Sequence, residues 1–312
     1  MMKSIKIGNI KLKNKLFLAP MVDVTDLAYR LICRKAGAGM AYTEMLYVDA
    51  ITHENEKTQK LMKTSKEDKP VGIQVTGNNV SEFEKAIKMK VFEKYNLVDI
   101  NCGCPSIRIT GNQAGSFLLK NPDKISGMIK TLKNSGYTTT AKIRLGFENN
   151  NVMKVAKSIE KAGADALTIH ARLATQGTGT KADWKWIQEA KKEIGIPVIG
   201  NGDIFSGKDT ERMLEIADGA MIARAAIGDP HIFERISFYL KTGKERERNF
   251  KKNIDYFKKY LYLAKKHDII DIPRIKYLGT NFLRNKEGAA KLRNELMQKK
   301  DFNEIQDFIR NI

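Results

Sequence analysis

Eight short apolar runs recur along the first 240 residues, separated by stretches with helical spacing. The runs are Leu16–Ala19, Met40–Thr43, Val71–Val75, Leu97–Asn101, Thr139–Ile143, Ala166–His170, Pro197–Gly200 and Gly219–Ile222. Each holds four or five residues, too few for a helix, and most lack the alternation of a half-exposed strand. Such runs suit strands covered on both faces, as in parallel sheets. Ahead of them, Ile5–Ile7 and Ile10–Leu12 flank Gly8-Asn9, which reads as a two-residue hairpin. Between strands, Ser81 with Glu84 three residues later predicts a capping box, and Asp123 after Pro122 predicts another helix start. Gly136, Gly163 and Gly195 fall where helices should end.

Eight strand–helix units with short turns predict a TIM (β/α)8 barrel over residues 1–240. A doubly wound sheet is the rival, but it usually carries a glycine-rich phosphate fingerprint after its first strand. Here that strand runs into Ala19-Pro20-Met21-Val22-Asp23, which has no glycine. The hairpin is expected to plug the bottom of the barrel. Beyond Gly243 the strand pattern disappears. Ile254, Phe257, Tyr260, Leu261 and Leu263 follow one helical side, with Lys258, Lys259, Lys265 and Lys266 on the other. Residues 243–312 are therefore expected to form a small basic helical domain against the barrel.

Composition narrows the function classes. No run approaches the roughly 18 apolar residues that span a bilayer, and the mean hydropathy is −0.40. The first residues, Met1-Met2-Lys3-Ser4-Ile5-Lys6, lack the apolar stretch of a secretory leader. Three cysteines do not make a disulfide framework, so a reducing cytoplasm is expected. Lys and Arg number 55 against 36 Asp and Glu, a formal charge of +19. Residues 243–312 alone hold 18 of the former and 10 of the latter. The excess favours a polyanionic partner, although a generally lysine-rich composition gives the same number.

Active sites in this architecture lie at the carboxyl ends of the strands. Those ends carry Pro20-Met21, Glu44, Gln74, Asn101 with Cys104, Lys142 with Arg144, His170 with Arg172, Asn201-Gly202-Asp203, and Ala223-Arg224. Loops after the seventh and eighth strands commonly bind a phosphate. Asn201-Gly202-Asp203 offers turn amides for one, and Arg224 offers a bidentate cation. Lys142 should point into the barrel mouth, where a lysine is costly unless it faces an anion. The pyrimidine edge of a reduced flavin supplies that anion, and His170 either shares the task or is a neutral strand-end histidine. Gln74 suits the flavin's amide edge, and the backbone of Pro20, Met21 and Val22 suits the side of its ring. His53, His231 and His267 share no ligand spacing and Cys102-x-Cys104 is too short for a zinc pair, so no metal is expected. Gly103 and Pro105 place Cys104 in a tight turn beyond a strand, while Cys33 and Cys102 read as core.

With these residues in hand, the chain resembles the tRNA-dihydrouridine synthases. The resemblance runs through Leu18-Ala19-Pro20-Met21, Gln74-Val75-Thr76-Gly77, Asp99-Ile100-Asn101-Cys102-Gly103-Cys104-Pro105, Lys142-Ile143-Arg144-Leu145-Gly146, Ile169-His170-Ala171-Arg172 and Asn201-Gly202-Asp203-Ile204. It continues to Met221-Ile222-Ala223-Arg224 and departs at Ala223, where Gly is usual, and at Cys102, where Met is usual. It implies an FMN-containing barrel which, with a helical domain, clasps tRNA and reduces the C5–C6 bond of a uridine. By resemblance Pro20, Met21, Val22, Gln74, Lys142, His170, Asn201, Gly202, Asp203, Ala223 and Arg224 bind FMN, and Cys104 donates a proton. Asn101 and Arg172 contact the uracil or the flavin, and NADPH is the electron donor. A monomer with no membrane partner is the expected form. Two other readings stay open from the residues alone: an FMN barrel acting on a free pyrimidine, and a non-catalytic barrel that binds RNA.

Overall fold

The computed structural model describes residues 4–312. Strands β1 (Ile5–Ile7) and β2 (Ile10–Leu12) pair antiparallel across Gly8-Asn9, as the turn dipeptide predicts. Eight parallel strands follow: β3 (Leu16–Leu18), β4 (Ala41–Tyr47), β5 (Val71–Thr76), β6 (Leu97–Cys102), β7 (Thr139–Arg144), β8 (Ala166–His170), β9 (Val198–Asn201) and β10 (Gly219–Ile222). Their order is β3-β10-β9-β8-β7-β6-β5-β4. A parallel bridge between Phe17 and Met40 and the Leu18 N–Met40 O hydrogen bond of 2.9 Å join β3 to the start of β4 and close the ring. The chain is a TIM-type barrel, as its alternation predicts.

The strands form because their residues are covered on both sides. Outward-facing side chains such as Leu16, Val71, Val98, Ile143 and Ile222 pack under the surrounding helices. Inside the ring, Phe17, Met40, Tyr42, Leu97, Ala166, Ile199 and Met221 form a second cluster with Ile5, Ile7 and Leu12 of the hairpin. Gly8, at φ +53°, lies so close to Thr138 and Asp165 that a Cβ there would meet both. The hairpin therefore plugs the amino-terminal end of the ring, and only the carboxyl-terminal mouth is left for a ligand.

Two local expectations change. The predicted capping box does not form, because Asn79 is the N-cap of the helix Val80–Lys88 and accepts from the Ser81 amide at 3.0 Å. Ser81 and Glu84 thus lie inside the helix rather than across its start. Strand β4 also runs on to Tyr47, with a register shift between Tyr42 and Met45. Glu44 therefore sits within the strand and not after it. Residues beyond 243 fold into four helices, Phe250–Lys266, Ile272–Phe282, Ala289–Gln298 and Phe302–Arg310. Ile254, Phe257, Tyr260, Leu261 and Leu263 are buried as predicted. Tyr260 meets Tyr29 edge-on at 6.1 Å, and Phe257 stacks on Phe282 at 4.9 Å. This region shares one continuous apolar core with the barrel's outer layer.

Candidate active site

The turn after β6 is shaped by the side chain that ends it. Asn101 Oδ1 accepts from the backbone N–H groups of Gly103 (3.1 Å) and Cys104 (2.9 Å), an Asx-type closure that curls the chain back at once. Arg144 Nε donates to the Gly103 carbonyl at 2.9 Å, and the Ser116 amide donates to the Cys104 carbonyl at 2.9 Å. Gly115 sits against this turn at φ +58°, where a Cβ would come within 2.7 Å of the Cys104 oxygen. The turn is held from three sides. Cys104 is half-buried on it, whereas Cys33 and Cys102 are buried in the core, as predicted, and burial pushes both of those thiols up.

Beneath the turn lies a buried polar layer. Gln74 Oε1 accepts from Asn101 Nδ2 at 2.9 Å, and Gln74 Nε2 donates to Asp99 Oδ2 at 2.7 Å. Thr140 Oγ1 donates to the other Asp99 oxygen at 2.6 Å. Lys142 Nζ donates to Asn201 Oδ1 at 3.1 Å, and Asn201 Nδ2 donates to the Met221 carbonyl at 2.8 Å. Burial pushes the Asp99 carboxyl up to about 6, against its bonds to Gln74 and Thr140 and the charge of Lys142. Burial, with Arg144 beside it, pushes the Lys142 amine down to about 8. Asp99 received no role from the sequence. Its signal was an acid inside the otherwise apolar run Leu97-Val98-Asp99-Ile100.

Between the ends of β8, β9 and β10 lies a cavity of about 140 Å³, lined by His170, Arg172, Asn201, Gly202, Ala223 and Arg224, among others. Seven of the predicted residues line it, Asp203 among them; they come from three separate strand ends, and the fold brings them together. Arg172 is buried and committed to protein partners: Nε to the Thr180 carbonyl (2.6 Å), Nη2 to both Asp203 oxygens (2.7 Å each) and Nη1 against His170 Nε2 (3.2 Å). Arg224 Nη2 donates to Asp203 Oδ1 at 2.7 Å, so one carboxylate fixes two guanidinium groups. Asp203 is partly buried, which works upward, but Arg172, the Ala182 amide and Arg224 hold its carboxyl below the ordinary value. Burial, together with Lys142, Arg144, Arg172 and Arg224, pushes His170 down to about 2, so it is neutral at physiological pH. Pro20, Met21 and Val22 follow β3 on the far side of β10. The Met21 amide donates to Thr25 Oγ1 at 3.0 Å, and Val22 stands exposed.

A family model described as dihydrouridine synthase matches residues 17–311. The chain belongs to the dihydrouridine synthase family. Among relatives of this dihydrouridine synthase family member, a probable tRNA-dihydrouridine synthase of Aquifex aeolicus is 33% identical over 293 residues, covering 92% of this chain and 86% of that one. A tRNA-dihydrouridine synthase B of Vibrio vulnificus is 37% identical over 243 residues, covering 76% of each. The fold is shared more widely. The old yellow enzyme homologue of Zymomonas mobilis superposes with a TM-score of 0.56 at 15% identity, over 81% of this chain and 95% of that one. Morphinone reductase superposes at 0.52 with 10% identity, over 75% and 88%.

The mouth of this dihydrouridine synthase family member suits an anionic ligand. Lys142, Arg144, Arg172 and Arg224 all bear on His170. Gly202, at φ +115°, packs against the His170 ring, where a Cβ would lie 3.1 Å from Cδ2. Among the described residues no group of three or more His, Cys, Asp or Glu is arranged to hold a metal ion, and no helix is long and apolar enough to cross a membrane.

Proposed function

We propose that this chain is an FMN-dependent tRNA-dihydrouridine synthase that reduces the C5–C6 bond of a uridine with electrons from NADPH. The observation that carries the reading is the half-buried thiol of Cys104, fixed beside a mouth lined with cations. The donor set fits the cofactor. Asn201, Gly202, Asp203, Ala223 and Arg224 line a cavity of about 140 Å³, where turn amides and a guanidinium would hold its phosphate. Lys142, neutral His170, Gln74 and the backbone of Pro20, Met21 and Val22 are the groups that would hold its ring. When bound, the flavin supplies a hydride to C6.

The chain's own residues do the rest. Cys104 Sγ donates the proton to C5. Asn101 fixes the Cys104 turn through its carbonyl oxygen and keeps one amide N–H for the uracil. Arg172 acts on the ligand through Asp203 and His170. The target base has to leave the RNA stack to reach this depth, because the mouth of a barrel does not admit a stacked helix. Exposed lysines of the helical region, among them Lys251, Lys259, Lys265 and Lys266, then hold phosphates with strong salt dependence. Free, unpaired cysteines accord with a cytoplasmic pool of tRNA.

The test is reduction of uridine in unmodified tRNA by the purified protein with NADPH, read as dihydrouridine by mass spectrometry. Turnover of free uracil or dihydroorotate without turnover of tRNA would reassign the substrate. A colourless protein without turnover would leave only RNA binding.

A further inference from the structure

We infer that Asp99 is a positioning residue for Cys104, acting through the ordered chain Asp99–Gln74–Asn101. The inference rests on polarity. An ionised carboxylate only accepts hydrogen bonds, and a backbone N–H only donates. Asp99 Oδ2 therefore requires the NH₂ end of Gln74, which it meets at 2.7 Å. That turns Gln74 Oε1 toward Asn101 and requires the NH₂ end of Asn101 in turn, at 2.9 Å. Asn101 Oδ1 is then the atom left facing the turn, where the amides of Gly103 and Cys104 are its donors. Two side-chain amides link an acceptor-only end to a donor-only end, and only one orientation of each satisfies both.

The chain is sheltered as well as ordered. Gln74, Asp99 and Asn101 are 1%, 1% and 7% exposed, so water does not offer substitutes for lost partners. Thr140 Oγ1, at 2.6 Å, holds the second Asp99 oxygen and fixes the plane of the carboxylate. A buried carboxylate that lacked this use would cost stability with no return. Lys142 is the charged group facing Asp99, and the carboxylate favours its protonated form. The same acid thus steadies the thiol's turn on one side and the cation of the mouth on the other.

The experiment needs no turnover. Cys33 and Cys102 are buried, so iodoacetamide added to the holoenzyme reports on Cys104, with the other two as internal controls by peptide mass spectrometry. Asp99→Ala frees the turn and should speed alkylation of Cys104 by about tenfold. Asp99→Asn can still present an oxygen to Gln74, and Thr140 can reverse its hydroxyl, so it should stay within about twofold of the parent. If Asp99→Ala does not fold, Gln74→Met keeps the volume and cuts the chain one link later, with the same rise expected. Unchanged alkylation in the folded Ala or Met variant, or an Asn variant as fast as Ala, overturns the inference. It rests on the proposed reaction only for its purpose. A parent enzyme inactive on tRNA with the predicted alkylation pattern would refute that reaction and leave the positioning intact.

Discussion

In the proposed reaction, Cys104 and Lys142 divide the chemistry between a proton and a charge. Removing the thiol should leave the cofactor where it is: Cys104→Ala should lose at least about 100-fold in dihydrouridine formation while the purified protein keeps its flavin absorbance. Lys142 carries the complementary prediction. Its amine is pushed down to about 8, so its charge is present at pH 7 and is lost as the pH rises through 8. Affinity for flavin, read by fluorescence quenching, should therefore weaken from pH 7 to pH 9 in the parent. Lys142→Met should bind about tenfold more weakly at pH 7 and show no such slope. His170 adds no slope of its own, since burial and four neighbouring cations keep it neutral throughout that range. At this scale the sequence named the residues at strand ends, because the fold places such residues at the mouth. It did not name Asp99, whose partners Gln74 and Thr140 come from β5 and β7 and are adjacent only once those strands pair on either side of β6.

Most of the strands are legible in the sequence because they are buried on both faces and so appear as short, largely apolar runs. The apolar pattern ends at Thr43, four residues short of the end of strand β4. A glutamate in its middle looks like a strand end, and nothing local announces either the bulge or the arginine that receives it. The start of Val80–Lys88 shows a different limit. Ser81 and Glu84 have the spacing of a capping box, yet Asn79 two residues earlier takes the N-cap, a position for which asparagine is at least as well suited as serine. Asn79→Ala should cost about 1 kcal/mol in urea unfolding, while Ser81→Ala should change stability by less than about 0.5 kcal/mol.

Across the whole molecule, one buried arginine ties the helical region to the barrel. Arg274 Nη1 lies 2.9 Å from Glu44 Oε1 and 3.4 Å from Asp26 Oδ2, and Tyr260 donates to the same Asp26 oxygen at 2.9 Å. Glu44 also accepts from the Asp23 amide at 2.8 Å, so the loop after β3 joins the network. Burial pushes the Glu44 carboxyl up to about 7 from 4.5, against the pull of Arg274 and that amide. The folded protein thus holds this proton more tightly than the unfolded chain. The group's contribution to stability is complete below pH 4.5 and is lost as the pH rises through 7. Arg274→Met removes the main partner of the ionised form. It should cost about 3 kcal/mol at pH 8, where a buried charge is stranded, and less than half of that at pH 5.5, measured by urea unfolding at both. The basic tail was visible in the sequence as composition and helical spacing. Its attachment was not, since Arg274 lies 230 residues from Glu44 in the chain.

The hairpin Ile5–Leu12 gives the molecule a floor, and a vessel with a floor has a single doorway. In the proposed reaction, both the electron donor and the RNA would have to use that one opening. A polynucleotide standing in it would shut out a dinucleotide, so the two visitors would take turns, and the shape of the barrel would separate the two halves of each cycle in time.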